Sequence, residues 1–207
     1  MSFLNRTLGP LFFPSILWRS SNSSIHLTFD DGPHPSATPR VLELLQKFGI
    51  QATFFLLGER VASYPQLAVQ IMALGHTVGC HSMSHRSLFL KPLMAQRAEI
   101  SRARSTIETT IGKSPGAFRP PYGHFDFSTL RASSDEGMRL VMWDVDSQDF
   151  STRTNANVLR RLTRQTRQGS IILLHDNDQT AGRGSDYLAA IVENFLESGY
   201  TFAPVSV

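Results

Sequence analysis

Sequence patterns typical of β-strands and of α-helices alternate along most of this chain. Such alternation predicts parallel strands, because each helix carries the chain back to the start of the next strand. Strand patterns cover residues 25–29, 52–57, 76–80, 139–145, 170–174 and 201–207, and helical spacing covers 38–48, 64–74, 94–111, 154–168 and 186–197. We therefore predict an α/β fold with a parallel sheet or barrel, in which functional residues collect just after the strands.

The length and composition indicate one globular domain. The 207 residues can bury a sizeable core, and the 41% hydrophobic and 18% charged content argues against wholesale disorder. We expect residues 25–207 to form the main domain and residues 1–24 an N-terminal segment that packs on it. The single cysteine, Cys80, excludes an internal disulfide and a cysteine-rich zinc module.

The N-terminal segment is apolar but short. Residues 8–18 are interrupted by Pro10 and Pro14, whereas a membrane-spanning helix needs roughly 20 apolar residues. A signal peptide would also show a clear small-residue cleavage site, which is not evident here. We favour packing on the domain over contact with a membrane surface, and a cytoplasmic or membrane-associated location, although the sequence leaves the compartment undetermined.

The basic residues do not indicate a nucleic-acid partner. The formal net charge is only +3, and no aromatic residues interleave with the densest basic group, which consists of Arg160, Arg161, Arg164 and Arg167. At this spacing the four arginines line one side of the predicted helix 154–168. They are expected to form a solvated helix face.

Two adjacent carboxylates end the first predicted strand. Asp30 and Asp31 stand just before the turn Gly32-Pro33, with no Lys or Arg close by in the sequence. Two like charges this close are costly unless a cation or a proton offsets them. The pair alone is equally consistent with a solvated turn or a helix cap, so its meaning depends on residues further along the chain.

A histidine pair follows the third predicted strand. His81 and His85 are four residues apart, which predicts that both imidazoles lie on one face of a helical turn and reach the same cation. With one carboxylate they make a three-ligand set that leaves a position open, as in catalytic zinc sites. The histidines without such partners, assigned to strands or loops, are His26, His34, His76 and His124.

Three later segments also place charged or reactive side chains after strands. Arg119, in a loop rich in prolines, can hold a carboxylate with two hydrogen bonds, although the loop can equally be an ordinary turn. Residues 144–150 contain three aspartates after an apolar strand. The buried run 171–174 ends at His175, where a general acid would stand, and a nearby aspartate would keep it protonated.

Taken together, these residues resemble the motifs of the polysaccharide deacetylase family, carbohydrate esterase family four. Five runs occur in the family's order: Thr-Phe-Asp-Asp-Gly-Pro at 28–33, His-Ser-Met-Ser-His at 81–85, Arg-Pro-Pro-Tyr at 119–122, Asp-Ser-Gln-Asp-Phe at 146–150 and Leu-Leu-His at 173–175. The resemblance extends from about residue 25 to the C-terminus. It implies a distorted parallel (β/α) barrel with about seven strands.

The resemblance also implies roles for individual residues. The implied ligands of a divalent metal, usually zinc with cobalt or another ion as alternatives, are Asp31, His81 and His85. Asp30 would be the general base, oriented by Arg119, and His175 the general acid, tuned by Asp149. The implied substrate-binding residues are Pro120, Tyr122 (whose backbone N–H would help bind the oxyanion), Phe150 and Leu173 (which would line the acetyl pocket).

One position departs from the family pattern. The family usually has Trp where this chain has Phe150. Phenylalanine keeps an apolar wall but loses the indole N–H and some bulk. The departure therefore bears on substrate fit more than on catalysis.

These features predict a metal-dependent hydrolase that removes N-acetyl groups from N-acetylglucosamine-containing glycans, of the chitin oligosaccharide or peptidoglycan type. The expected partner is an acetylated amino-sugar glycan. One alternative is hydrolysis of another non-peptide amide, such as a cyclic imide or ureide, on the same fold. A second is a non-haem iron oxygenase, because two histidines and one carboxylate also suit Fe(II), but His175 and the aspartate pair have no obvious role there. A binding protein with an inactive site ranks lowest, because every catalytic position is filled.

Overall fold

The computed structural model describes residues 9–151, 154–182 and 186–207. Within this part of the chain, one parallel sheet has the strand order β5-β4-β3-β2-β1-β7-β6. Its strands are β1 (His26–Asp30), β2 (Thr53–Leu56), β3 (Thr77–Cys80), β4 (Ala117–Phe118), β5 (Arg139–Leu140), β6 (Val145–Asp146) and β7 (Ile171–His175).

The sheet curls because its two edges are neighbours in the sequence. Strands β5 and β6 lie at opposite ends of the strand order, yet only residues 141–144 separate them. A connection this short spans less than about 20 Å even when it is fully extended. The edges therefore approach each other, and the predicted distorted (β/α) barrel of about seven strands is confirmed.

Helices cover the outside of the sheet. They are α1 (Ala37–Lys47), α2 (Gly58–Ser63), α3 (Pro65–Ala73), α4 (Leu93–Ile111), α5 (Phe127–Asp135), α6 (Asn155–Gln165), α7 (Asp178–Ala181) and α8 (Asp186–Glu197), with a 3₁₀ turn at Pro121–Gly123. Local sequence explains several of the ends. Pro65 opens α3, where its missing N–H costs nothing, and Gly112 ends α4 with a φ of 71°, a conformation that glycine adopts without strain.

The core lies between the central strands and the helices. Every residue of β1 and β2 is buried, as expected for parallel strands covered on both faces. Phe29 and Phe54 stack across these two strands with their ring centroids 5.0 Å apart. This buried centre holds the carboxyl ends of β1, β2 and β7 in fixed register.

The N-terminal segment contributes to the packing beside β5. Ile16 and Trp18 are buried, with exposed fractions of 3% and 6%. Leu17 forms a parallel bridge with Val141, and its N–H donates to the carbonyl of Leu140 over 2.9 Å. Residues 16–18 therefore line the stretch that closes the barrel. No helix in the described ranges is long and apolar enough to cross a bilayer.

Some sequence expectations differ from the structure. The strand predicted at 139–145 is instead two short strands, β5 and β6. The apolar run continues through the residues between them, so the sequence pattern shows no break. The predicted strand 201–207 pairs with Ile25 only at Phe202. Helix α5 has no strong apolar period, and the sequence did not predict it. Arg161, expected on a solvated face, donates from Nε to the carbonyl of Asp146 over 2.7 Å.

Candidate active site

A cavity of about 630 Å³ opens at the carboxyl ends of the strands. Eight of the eleven site residues predicted from the sequence line this cavity. The other three are buried outside its lining: Arg119, Pro120 and Asp149. The topology explains the convergence, since the carboxyl ends of neighbouring parallel strands meet at one edge of the sheet.

One carboxylate oxygen of Asp31 faces two imidazoles. Its Oδ1 lies 3.1 Å from His85 Nε2 and 3.4 Å from His81 Nε2. The helical turn predicted for the histidine pair was wrong, because residues 81–85 form an irregular loop. Ser82 and His85 have φ angles of 70° and 58°, and these left-handed conformations bring both rings to the same point without a helix.

The three residues fit a metal ion. One ligand atom from each of Asp31, His81 and His85 lies within 4.8 Å of the others. Oδ1 of Asp31 is buried and has no hydrogen-bond partner among the described residues, as expected of an atom reserved for a cation. Nδ1 of His81 donates to the carbonyl of Arg119 over 2.7 Å, which leaves Nε2 as the lone-pair nitrogen when the ring is neutral.

The surroundings favour the ionised form of Asp31. Burial opposes ionisation, but the contacts with His81 and His85 outweigh it and hold the pKa of Asp31 well below its usual range. Nδ2 of Asn177 also donates to Oδ2 of Asp31 over 2.9 Å. The carboxylate is therefore charged and oriented before any ligand binds.

The neighbouring carboxylate is held by a buried arginine. Nη1 of Arg119 donates to Oδ1 of Asp30 over 2.7 Å and to Oγ1 of Thr28 over 2.8 Å. The guanidinium is fully buried and lies 4.0 Å from the centroid of the Phe55 ring. Oδ2 of Asp30 remains directed toward the cavity, 3.8 Å from His81 Nε2. This geometry suits a base whose reactive oxygen is free and whose other oxygen is fixed.

A second pair stands at the end of β7, where His175 is in register with Asp30 of β1. Nδ1 of His175 donates to Oδ1 of Asp149 over 2.7 Å, and the His175 backbone N–H donates to the other carboxylate oxygen over 2.9 Å. Burial opposes protonation of His175, but the charge of Asp149 and its hydrogen bond prevail and raise the pKa of His175 to about 9. Near neutral pH this imidazole carries a proton that it can donate.

Comparison with known proteins identifies the family. The family model for polysaccharide deacetylases matches residues 19–141. The chain belongs to the polysaccharide deacetylase family. The resemblance seen in the five motifs is confirmed.

The relatives and solved structures of this polysaccharide deacetylase agree with that assignment. A peptidoglycan-N-acetylglucosamine deacetylase of Bacillus cereus is 32% identical over 98% of this chain and 96% of its own length. The peptidoglycan-N-acetylmuramic acid deacetylase PdaC of Bacillus subtilis is 36% identical over 88% of this chain, which spans only 38% of that relative. A CE4 family pseudoenzyme of Bacillus anthracis superposes with a TM-score of 0.85 at 26% identity, over 93% of this chain and 68% of that one. Chitooligosaccharide deacetylases are also among the relatives.

The wall of the cavity contains most of the predicted substrate-binding residues. Tyr122, Phe150 and Leu173 line the cavity of this deacetylase, whereas Pro120 is buried and does not line it. Phe150, at the position where the family usually has Trp, packs edge-on against the His175 ring with centroids 5.3 Å apart. Tyr122 has a φ of 60°, a strained conformation for a residue other than glycine.

Several polar or aromatic residues of the site were not predicted from the sequence. Asn177 and Trp143 line the cavity. Asp176 is buried, its pKa is raised by burial, and it accepts a hydrogen bond from Thr38. A Cβ at Gly32 would collide with the carboxylate of buried Asp176, so a larger residue there would displace that side chain. The run His175-Asp176-Asn177 signals two of these residues, because polar residues after a buried strand reach the same edge as its last residue.

Proposed function

We propose that this protein hydrolyses the acetamide group of N-acetylated amino sugars within glycans and that it uses zinc to do so. One observation carries the proposal. A single cavity contains a carboxylate held by a buried arginine, a three-residue metal-binding set and a protonated imidazole. Amide hydrolysis needs these three functions, since water must be deprotonated, the carbonyl polarised and the amine protonated.

The metal-binding residues are Asp31, His81 and His85 in this proposal. Two histidines and one carboxylate leave a position open on a tetrahedral ion, which is typical of catalytic zinc sites. Bound there, zinc would act as a Lewis acid that polarises a carbonyl and lowers the pKa of water. Asn177 and the carbonyl of Arg119 orient two of the ligands through the hydrogen bonds described above.

Asp30 serves as the general base. Its Oδ2 points into the cavity, while Arg119 holds Oδ1 and prevents the carboxylate from rotating. The carboxylate takes a proton from the attacking water as the C–O bond forms. The negative charge that develops on the acetyl oxygen is stabilised in part by the backbone N–H of Tyr122.

His175 serves as the general acid. Asp149 keeps the ring protonated and fixes its orientation. As the C–N bond breaks, the imidazolium gives its proton to the departing amine, which would otherwise be a poor leaving group. Leu173 and Phe150, which also line the cavity, provide apolar surface for the acetyl methyl group and the sugar ring.

The filled site supports an active enzyme over an inactive homologue. A CE4 pseudoenzyme and its mutant with restored activity both have TM-scores of 0.85 with this chain, so the fold alone does not establish activity. Here each catalytic role has a residue in place. The His175–Asp149 pair also favours hydrolysis over iron-dependent oxygenation, which has no evident use for a protonated imidazole at this position.

The proposal is tested by acetate release. The purified protein, depleted of metal by a chelator and reloaded with zinc, is incubated with N-acetylglucosamine oligomers and with peptidoglycan. We expect acetate release only after reloading, and loss of zinc binding in a His81→Ala/His85→Ala variant. A zinc-loaded protein that releases no acetate from any of these glycans would overturn the proposal, as would full zinc content in the double variant.

A further inference from the structure

A row of aromatic rings leads from the metal-binding residues out over the protein surface. We name it the aromatic row and define it as Tyr122, His124 and Phe89. The Tyr122 ring contacts His85 with centroids 4.6 Å apart. From Tyr122 the next centroid, that of His124, is 5.9 Å away, and Phe89 follows at 6.2 Å from His124. Only the first member, Tyr122, lines the catalytic cavity.

All three residues of the row are exposed to solvent. Tyr122 is 57% exposed and Phe89 is 45% exposed, and His124 is also exposed. The interplanar angles of 40° and 57° show that the rings are tilted rather than stacked, so no ring covers the face of the next. A contiguous exposed aromatic surface beside a cavity is typical of a binding site.

The loops that carry the row are tied together. The backbone N–H of Leu90 donates to Oδ2 of Asp126 over 2.8 Å. The Gln96 side-chain amide extends this link. Its Nε2 donates to the carbonyl of Lys91 over 2.8 Å and to Oδ1 of Asp126 over 3.1 Å. The row is therefore formed before a ligand binds, and little conformational freedom is lost on binding.

We propose that the aromatic row binds the sugar units adjacent to the one that is deacetylated. This inference rests on the proposed function, since it extends the substrate from one sugar to an oligosaccharide. A pyranose ring presents an apolar C–H face that packs on an aromatic ring, and Tyr122 and His124 add polar edges for its hydroxyl groups. The row connects the cavity at Tyr122 to the exposed loop of Phe89, so the glycan lies along the two loops.

The test compares short and long substrates. Zinc-loaded wild type, Phe89→Ala and His124→Ala are assayed for acetate release from N-acetylglucosamine and from its pentasaccharide. We expect each variant to lower kcat/KM for the pentasaccharide about threefold to tenfold more than for the monosaccharide, since an aromatic contact contributes about that factor. The loss should appear mainly in KM. Phe89→Tyr keeps the ring and should restore most of the wild-type value.

A control variant outside the row makes the outcomes distinct. Phe127→Ala removes a phenylalanine that is 79% exposed but lies outside the row and packs against Phe13, so it should not change the ratio between the two substrates. Equal effects of Phe127→Ala and Phe89→Ala, or wild-type ratios in both row variants, would overturn this inference alone. Acetate release from neither substrate by the wild type would instead overturn the proposed function.

Discussion

Replacing Asp149 with Asn should move the alkaline limb of the pH–activity profile to lower pH. In the wild type both carboxylate oxygens of Asp149 accept hydrogen bonds from His175, one from Nδ1 and one from the backbone N–H. A neutral amide can satisfy the backbone N–H with its oxygen only by turning its NH₂ group toward Nδ1. The substitution therefore removes the charge that favours imidazolium and also opposes a proton on Nδ1.

The structure sets the size of the effect. The pKa of His175 is about 9 against an ordinary value of 6.5, and burial on its own lowers it. We therefore expect the pKa of His175 in the variant to be at or below 6.5. For a pKa of 6.5 in the variant, the protonated fraction at pH 8 falls from about nine-tenths to about 3%, which lowers activity about thirtyfold, whereas at pH 6 it falls less than about twofold; a lower pKa makes both losses larger.

The assay is kcat/KM for acetate release by zinc-loaded protein between pH 5 and pH 10. A matched control is Asp144→Asn, which changes a partly buried carboxylate that contacts Ser170 and the Ile171 N–H and should leave the alkaline limb in place. An alkaline limb that does not move in Asp149→Asn would refute the reasoning. Either Asp149 does not set the protonation of His175, or His175 is not the acid.

Four further outcomes are expected. Asp30→Asn should keep its zinc and lose about 10²–10⁴-fold in turnover, whereas Asp31→Asn should lose zinc as well. Equal zinc loss in both variants, measured by elemental analysis, would contradict this division of roles. Phe150→Trp should change the preferred oligosaccharide length in the acetate assay at constant zinc content, and an unchanged preference would mean that this residue does not contact the glycan. In the metal-free protein, the raised pKa of His175 stabilises the fold by about 3 kcal/mol below pH 6.5, and this contribution is lost as the pH rises through 9. Urea titrations of wild type and His175→Gln should therefore show a difference in unfolding free energy that depends on pH. A difference that does not change with pH would refute the link between His175 protonation and stability. Trp18→Ala should lower the free energy of unfolding by about 3–5 kcal/mol because the ring is buried, and a loss under about 1 kcal/mol would show that the N-terminal segment is not part of the core.

The sequence predicted which side chains meet at one edge of the sheet, because functional residues in parallel α/β folds follow strand ends. Asp30, Asp31 and His175 each stand at or just after a strand with a strong apolar pattern, so their convergence follows from the topology. The path of the His81–His85 loop was not predictable in this way. It depends on left-handed residues that are not glycine, and such conformations are set by tertiary contacts rather than by local preference.

Other features escaped prediction because they depend on contacts between distant segments. The aromatic row spans the loops around residues 89 and 124, which Asp126 joins through hydrogen bonds. The break between β5 and β6 could not be predicted because the apolar run is continuous across it. Residues 141–143 are buried, as the residues of a strand would be. The local spacing of apolar residues indicates which residues are buried, but it does not indicate whether a neighbouring strand is present.

The position of Arg119 has a consequence for substitutions far from the cavity. Its side chain joins Asp30 to the carbonyls of Val141 and Met142, while its own carbonyl holds His81. The orientations of the Asp30 carboxylate and of the His81 ring thus depend on the stretch where the barrel closes, against which Leu17 is paired. Random mutagenesis should accordingly yield variants around residues 17 and 141 that remain folded but inactive, so distance from the cavity is a poor guide to which positions tolerate change.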